Sequence, residues 1–142
     1  MDLEKVGVML NNRNQPHSNS DLIAFCAGLF DGEGYVGYAQ YKSKRPNGKT
    51  GLKWNIQLEI AMADIDSIKN FYDIVGVGTI AFKKIGKGSM AKKPQWRWRC
   101  SHRAALKLAK LFLPYSVSKR ERLLKIINHY EFNTAKEGLG QR

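Results

Sequence analysis

The chain has 142 residues, 43% of them hydrophobic, and sets 24 Lys and Arg against 12 Asp and Glu for a formal charge of +12. That length supports one domain with a real core and excludes several lobes. A cation excess of this size points to a polyanionic partner, nucleic acid above all, through counterion release and steering. No apolar run approaches the roughly 20 residues that cross a bilayer, so no membrane partner is expected and the protein is read as soluble and intracellular. Cys26 and Cys100 stand in apolar surroundings without a C-x-x-C pattern and read as buried thiols, not as a bridge or a zinc site.

Residues 1–19 are polar and read as a loosely ordered arm, residues 20–132 as the folded unit, and residues 133–142 as a frayed tail. A helix is expected from about Asp21 to Phe30, with Ser20 or Asn19 as its N-cap. After Gly34 the period changes to two. Val36 to about Lys42 forms a weak strand, joined by the basic turn Lys44-Arg45-Pro46-Asn47-Gly48-Lys49 to the clearest strand of the chain, Leu52–Ile60, where apolar and polar residues alternate. A helix over Ile65–Val75, capped by Asp64 and stopped at Gly76, is followed by a second hairpin, Thr79–Lys83 and Gln95–Cys100. Helices over about His102–Phe112 and Lys119–Glu131 complete the chain, the last opened by a capping box of Ser118 and Glu121. The fold class is α+β, in the order αββαββα plus a C-terminal helix, with one antiparallel four-stranded, saddle-shaped sheet and all helices on its apolar face.

Helices on one face leave the other to solvent or ligand. Lys53, Asn55, Gln57, Glu59, Lys83, Gln95, Arg97 and Arg99 face that side, and these residue types read base edges in the major groove and hold phosphates. The loops from Lys42 to Lys49 and from Lys83 to Lys93, which contain Lys42, Lys44 and Arg45 and no acid, flank the same face. A curved sheet with basic edges is therefore a candidate saddle for double-stranded DNA.

The first helix carries the second signal. Ala24 and Gly28 lie four apart on one face with Ala27 beside them, and side chains this small let two helix backbones approach closely. The helix ends in the glycine-rich acidic turn Asp31-Gly32-Glu33-Gly34. With one copy of this segment, the partner helix is expected from a second subunit, and a C2 homodimer would bring two Glu33 side chains together near its axis.

The run Cys26-Ala27-Gly28-Leu29-Phe30-Asp31-Gly32-Glu33-Gly34 resembles the signature of the LAGLIDADG homing endonucleases, with Cys in place of the first Leu. The resemblance covers roughly Leu22 to Tyr130, and the αββαββα order is also that family's fold. Leu113-Pro114-Tyr115-Ser116-Val117-Ser118-Lys119 is similar to the segment that carries the family's active-site lysine. The resemblance implies a site-specific double-strand DNA endonuclease of the single-motif, homodimeric type. Its target would be a long pseudo-palindromic site, cut across the minor groove to leave short 3′ overhangs, in the mobility of an intron or similar element.

It further implies that Glu33 binds the metal directly, with the Gly32 carbonyl as neighbouring ligand, and that Glu33 and Lys119 are catalytic. The cofactor implied is Mg2+, with Mn2+ as a substitute and Ca2+ supporting binding without cleavage. Magnesium keeps most of its waters and needs only one or two protein carboxylates, so a sparse site suffices. Asp31 reads as structural, capping or orienting the turn. Lys119 and Arg120 sit at a helix start, where the macrodipole disfavours cations, and broken local rules tend to mark function. Ala61-Met62-Ala63 stands where relatives often place a polar auxiliary residue, which leaves that role in doubt. The alternative reading is a non-cleaving DNA- or RNA-binding module on the same scaffold, an intron maturase or a regulator. Gly76-Val77-Gly78 and Gly86-Lys87-Gly88-Ser89 lack the spacing of nucleotide-binding loops, and His17, His102 and His129 are too scattered for a shared metal site.

Overall fold

A computed structural model describes residues 18–84 and 93–137, with side chains described to residue 132. Residues 1–17 of the arm expected over 1–19, with His17, the Gly86–Ser89 segment and most of its basic loop, and residues 138–142 lie outside the described residues, whereas Ser18 and Asn19, expected in that arm, cap and begin the first helix. Helix α1 spans Asn19–Glu33. Its N-cap is Ser18, not Ser20 or Asn19: the Ser18 hydroxyl accepts from Asp21 N (3.1 Å) and the Ser18 N–H donates to the Asp21 carboxylate (3.4 Å). The helix also runs three residues beyond Phe30. Asp31, Gly32 and Glu33 form its last turn instead of a loop after it, and Gly34 follows in extended backbone with φ −82°.

Strand β1 (Gly34–Lys44) pairs antiparallel with β2 (Thr50–Met62), and both exceed the expected bounds because pairing runs through to the turn. Helix α2 (Ile65–Val75) has the expected bounds, with Asp64 as N-cap and Gly76 in the left-handed conformation at its end. Strands β3 (Thr79–Lys83) and β4 (Gln95–Ser101) form the second hairpin, and the sheet order is β1-β2-β4-β3. Helix α3 (Arg103–Phe112) continues into a 3-10 turn at Leu113–Tyr115, and α4 covers Arg120–Glu137. Residues 133–137, expected to fray, are therefore helical.

The pleat sorts side chains by parity. Ile56, Leu58 and Ile60 of β2 and Trp98 and Cys100 of β4 are buried with Leu22, Cys26 and Phe30 of α1, Phe71 of α2, Leu108 and Phe112 of α3 and Leu123 of α4. The core thus lies between one face of the sheet and the helices. Cys26 and Cys100 are free buried thiols, as expected, each pushed up to about 12 by burial. At the other end Tyr38 and Trp54 stack at 4.9 Å and meet the edge of His129, whose Nδ1 hydrogen-bonds the Tyr38 hydroxyl at 3.2 Å. That cluster ties α4 to the first hairpin.

Candidate functional site

The exit of α1 and the entry of α4 meet. A helix end leaves carbonyls without partners and a helix start leaves N–H groups without them. The Asp31 carboxylate accepts from Val117 N (3.0 Å) and Lys119 N (3.0 Å) on one oxygen and from Ser118 N (3.1 Å) on the other. The Asp31 main-chain oxygen accepts from Ser118 Oγ (2.8 Å) and from Lys119 Nζ (3.0 Å). This replaces the expected Ser118–Glu121 capping box: the Ser118 hydroxyl is directed to α1, and the Lys119 carbonyl accepts the Leu123 N–H at 3.0 Å. The misplaced cations are also explained. Lys119 reaches back to the C-terminal end of α1, where the dipole favours positive charge, and Arg120 donates to the Leu113 carbonyl at 2.9 Å.

The Asp31 carboxyl is held below its ordinary value. Removal from water is the largest single influence and raises it, but the N–H donors of Lys119, Ser118 and Val117 with the Ser118 hydroxyl outweigh it. Two residues further on, Glu33 is exposed and takes part in no ion pair among the described residues. The α1 end therefore presents the exposed Glu33 carboxylate and, seated on the Asp31 carbonyl, the Lys119 ammonium.

Of the residues expected at a helix–helix contact, Gly28 is exposed and a Cβ there would meet nothing within 4 Å, and Ala24 is half-buried. Ala27 is corrected: at 0% exposure it belongs to the core of its own chain and has no surface to offer a second one. Phe25, 45% exposed, takes its place on the outward face and was missed, although it follows the spacing of Asp21, Gly28 and Gly32.

The outer sheet face holds eight of the expected polar residues: Lys53, Asn55, Gln57 and Glu59 of β2, Lys83 of β3, and Gln95, Arg97 and Arg99 of β4 share one parity. Lys42 and Lys44 do not join them, since they pair with Leu52 and Thr50, whose parity is that of the helix side; Arg45 starts the turn and lays its guanidinium over Gly51, which has the outer parity. They form an exposed basic hairpin tip beyond the core. Gln57 lies across Gly37, its register partner, where a Cβ would come within 2.8 Å of its Cγ. Glu59 is engaged by Arg99, at 2.7 Å from Nη2 and 3.1 Å from Nε, with Arg97 Nε at 3.9 Å. Tyr35 of β1, opposite Glu59 and half exposed, also belongs to this face, and the β1 alternation was the signal that could have found it.

Among the described residues no group of three or more His, Cys, Asp or Glu could hold a metal ion, and no helix is long and apolar enough to cross a membrane. The donors present at the α1 end, a carboxylate and main-chain carbonyls, are the hard oxygen ligands that Mg2+ accepts in small number.

Residues 26–121 match the sequence model of the family described as "LAGLIDADG endonuclease". Among solved structures, the chain is similar to the group I intron-encoded homing endonuclease I-CeuI complexed with DNA, at 15% identity over 97% of this chain and 69% of that one, with a TM-score of 0.61. It is similar to the archaeal intron-encoded homing endonuclease I-Vdi141I complexed with DNA, at 12% identity over 86% and 74%, TM-score 0.61. It is also similar to the homing endonuclease I-CvuI in complex with its target in the presence of calcium, at 15% identity over 74% and 62%, TM-score 0.57. The chain thus spans about three fifths of the length of I-CvuI. These identities establish the fold. No curated protein sequence matches the chain.

Proposed function

The chain belongs to the LAGLIDADG endonuclease family, and from that premise we propose that it is a site-specific double-strand DNA endonuclease that acts as a homodimer on a long pseudo-palindromic target. The observation that carries the proposal is the joint at the end of α1. There the Lys119 ammonium is tied to the Asp31 carbonyl at 3.0 Å, while Glu33 stays exposed and unpaired. A fixed cation and an exposed carboxylate on the same helix end are what phosphodiester hydrolysis asks of a protein surface. The solved relatives I-CeuI and I-Vdi141I are DNA complexes, which supports duplex DNA as the substrate.

Glu33 and the Gly32 carbonyl would hold Mg2+, Mn2+ or Ca2+, and Mg2+ or Mn2+ there supplies an activated water and charge neutralisation at the scissile phosphate. Lys119 stabilises negative charge that develops on the phosphate or its leaving oxygen. Asp31 acts through the main chain: its carboxylate fixes the segment 117–119, and so the position of the Lys119 stem. The outer sheet face and the basic hairpin tip bind duplex, the first reading base edges and the second holding phosphates. The exposed α1 face, with Ala24, Phe25 and Gly28, packs against its twofold mate, which brings two Glu33 carboxylates to the axis, one for each strand.

The test uses the purified chain, magnesium, and DNA of its own coding locus with the intervening element removed. Double-strand cleavage at one position is expected, and Glu33→Gln should abolish cutting while binding measured in calcium stays within about twofold. A wild-type protein that binds this DNA and never cuts it identifies the non-cleaving alternative instead.

A further inference from the structure

We infer that Glu59 is a positioning residue that locks the Arg99 guanidinium into a guanine-reading pose on the outer sheet face. This rests on the DNA-binding reading above and narrows it to one residue pair and one base. Arg97 and Arg99 are two apart on β4, so their like charges share one face. Glu59 stands on β2 directly across from Arg99 and diagonally across from Arg97, whose own partners Ala61 and Ala81 carry no charge. Its side chain is 14% exposed, against 37% for Arg99 and 30% for Arg97. The acid is thus sunk between two outward cations, too recessed to meet a base edge ahead of them.

The hydrogen-bond geometry sets which part of the fork remains. Both Arg99 Nε and Arg99 Nη2 donate to the single oxygen Glu59 Oε1, at 3.1 and 2.7 Å. That occupies the side edge of the guanidinium. The end edge, one N–H from each terminal nitrogen, points away as a parallel donor pair, and such a pair matches the O6 and N7 acceptors of guanine in the major groove. An unrestrained arginine on a flat sheet would spend its donors equally on phosphates.

The strand below is fixed as well. Between the two arginines Trp98 is fully buried, donates from Nε1 to the Val77 carbonyl at 2.9 Å, and meets the Phe71 ring at 4.7 Å. Arg99 therefore stands on anchored backbone and is held laterally by Glu59. Glu59 is thereby reassigned from a base reader to the support of one.

Selection of randomised DNA duplexes by the wild-type protein, Arg99→Ala and Glu59→Ala tests this directly. The wild-type pool should carry one strongly enriched guanine in each half-site, at about tenfold preference. Both variants should lose that same guanine column and keep the other columns. They should part in their affinity for arbitrary duplex: weaker for Arg99→Ala, but about twofold stronger for Glu59→Ala, which releases two cations to phosphates. If Glu59→Ala does not fold, Glu59→Gln reads the same column, expected weakened. A guanine column intact without the Glu59 carboxylate, or a cytosine column lost in its place, overturns the inference and leaves DNA recognition standing. A wild-type protein that enriches no sequence overturns both.

Discussion

The carboxylate of Asp31 accepts three main-chain N–H groups from residues 117–119, while its own carbonyl takes the Lys119 ammonium. One residue thereby satisfies orphan donors at the start of α4 and seats a cation at the end of α1. Its folded pKa lies below the ordinary 3.8, so its contribution is complete above that value and is lost as pH falls through the lower folded value. Asp31→Asn keeps one acceptor and turns an amide toward N–H donors that need oxygen. We expect it to lower stability by about 1 kcal/mol near neutral pH. In urea titrations that difference should hold from about pH 5 to 7 and shrink on acidification toward about pH 2 as the wild-type carboxylate protonates. A gap that widens in acid contradicts this sign. Cleavage should fall with the variant as well, because Lys119 loses its fixed stem.

Among the elements, the α1–β1 junction shows why a motif rich in glycine is not uniform. Gly34 has ordinary extended φ, yet a Cβ there would run into the Phe30 carbonyl and come within 2.6 Å of its ring. Its small size lets the strand leave the helix at once. Gly34→Ala must displace a fully buried Phe30, and we expect a loss of about 2 kcal/mol in thermal or urea unfolding. Gly32→Ala, helical and with nothing within 4 Å, should instead be neutral or stabilising. Sequence periodicity located the four strands and the four α-helices of the described residues, because alternation in β2 and β4 and the Asp64 and Gly76 caps are local signals. It mistook the last turn of α1 for a loop, since a pair of glycines outweighs helix propensity on paper while packing of Phe30 decides in the fold. The joint of Asp31 to residues 117–119 spans more than 80 positions and left only an indirect trace, a lysine at an unfavourable helix start. The left-handed φ of 55° at His102, whose N–H donates to the Ile56 carbonyl at 2.9 Å, left none.

For the whole molecule the outward face of α1 decides whether one chain suffices. Gly28 lies inside a helix, where glycine costs about 0.5–1 kcal/mol relative to alanine, and among the described residues nothing lies within 4 Å of a Cβ built there. No contact among the described residues requires a glycine here, and beside it Phe25 is 45% exposed. Both features make sense if another backbone comes close to this face, which is the geometry of the proposed homodimer. Gly28→Leu separates the two demands. The side chain enters open space in the single chain, so the variant should still fold cooperatively, but without the dimer its melting temperature should no longer rise with protein concentration. At the twofold contact it would hold the helices apart, and sedimentation should shift from dimer to monomer with loss of double-strand cleavage. Duplex affinity should drop steeply at the same time, since each half-site would then be held by one copy of a +12 chain instead of two linked copies. A Gly28→Leu protein that sediments and cuts like the wild type would show that α1 meets no second copy, and the two Glu33 carboxylates would have no axis on which to meet.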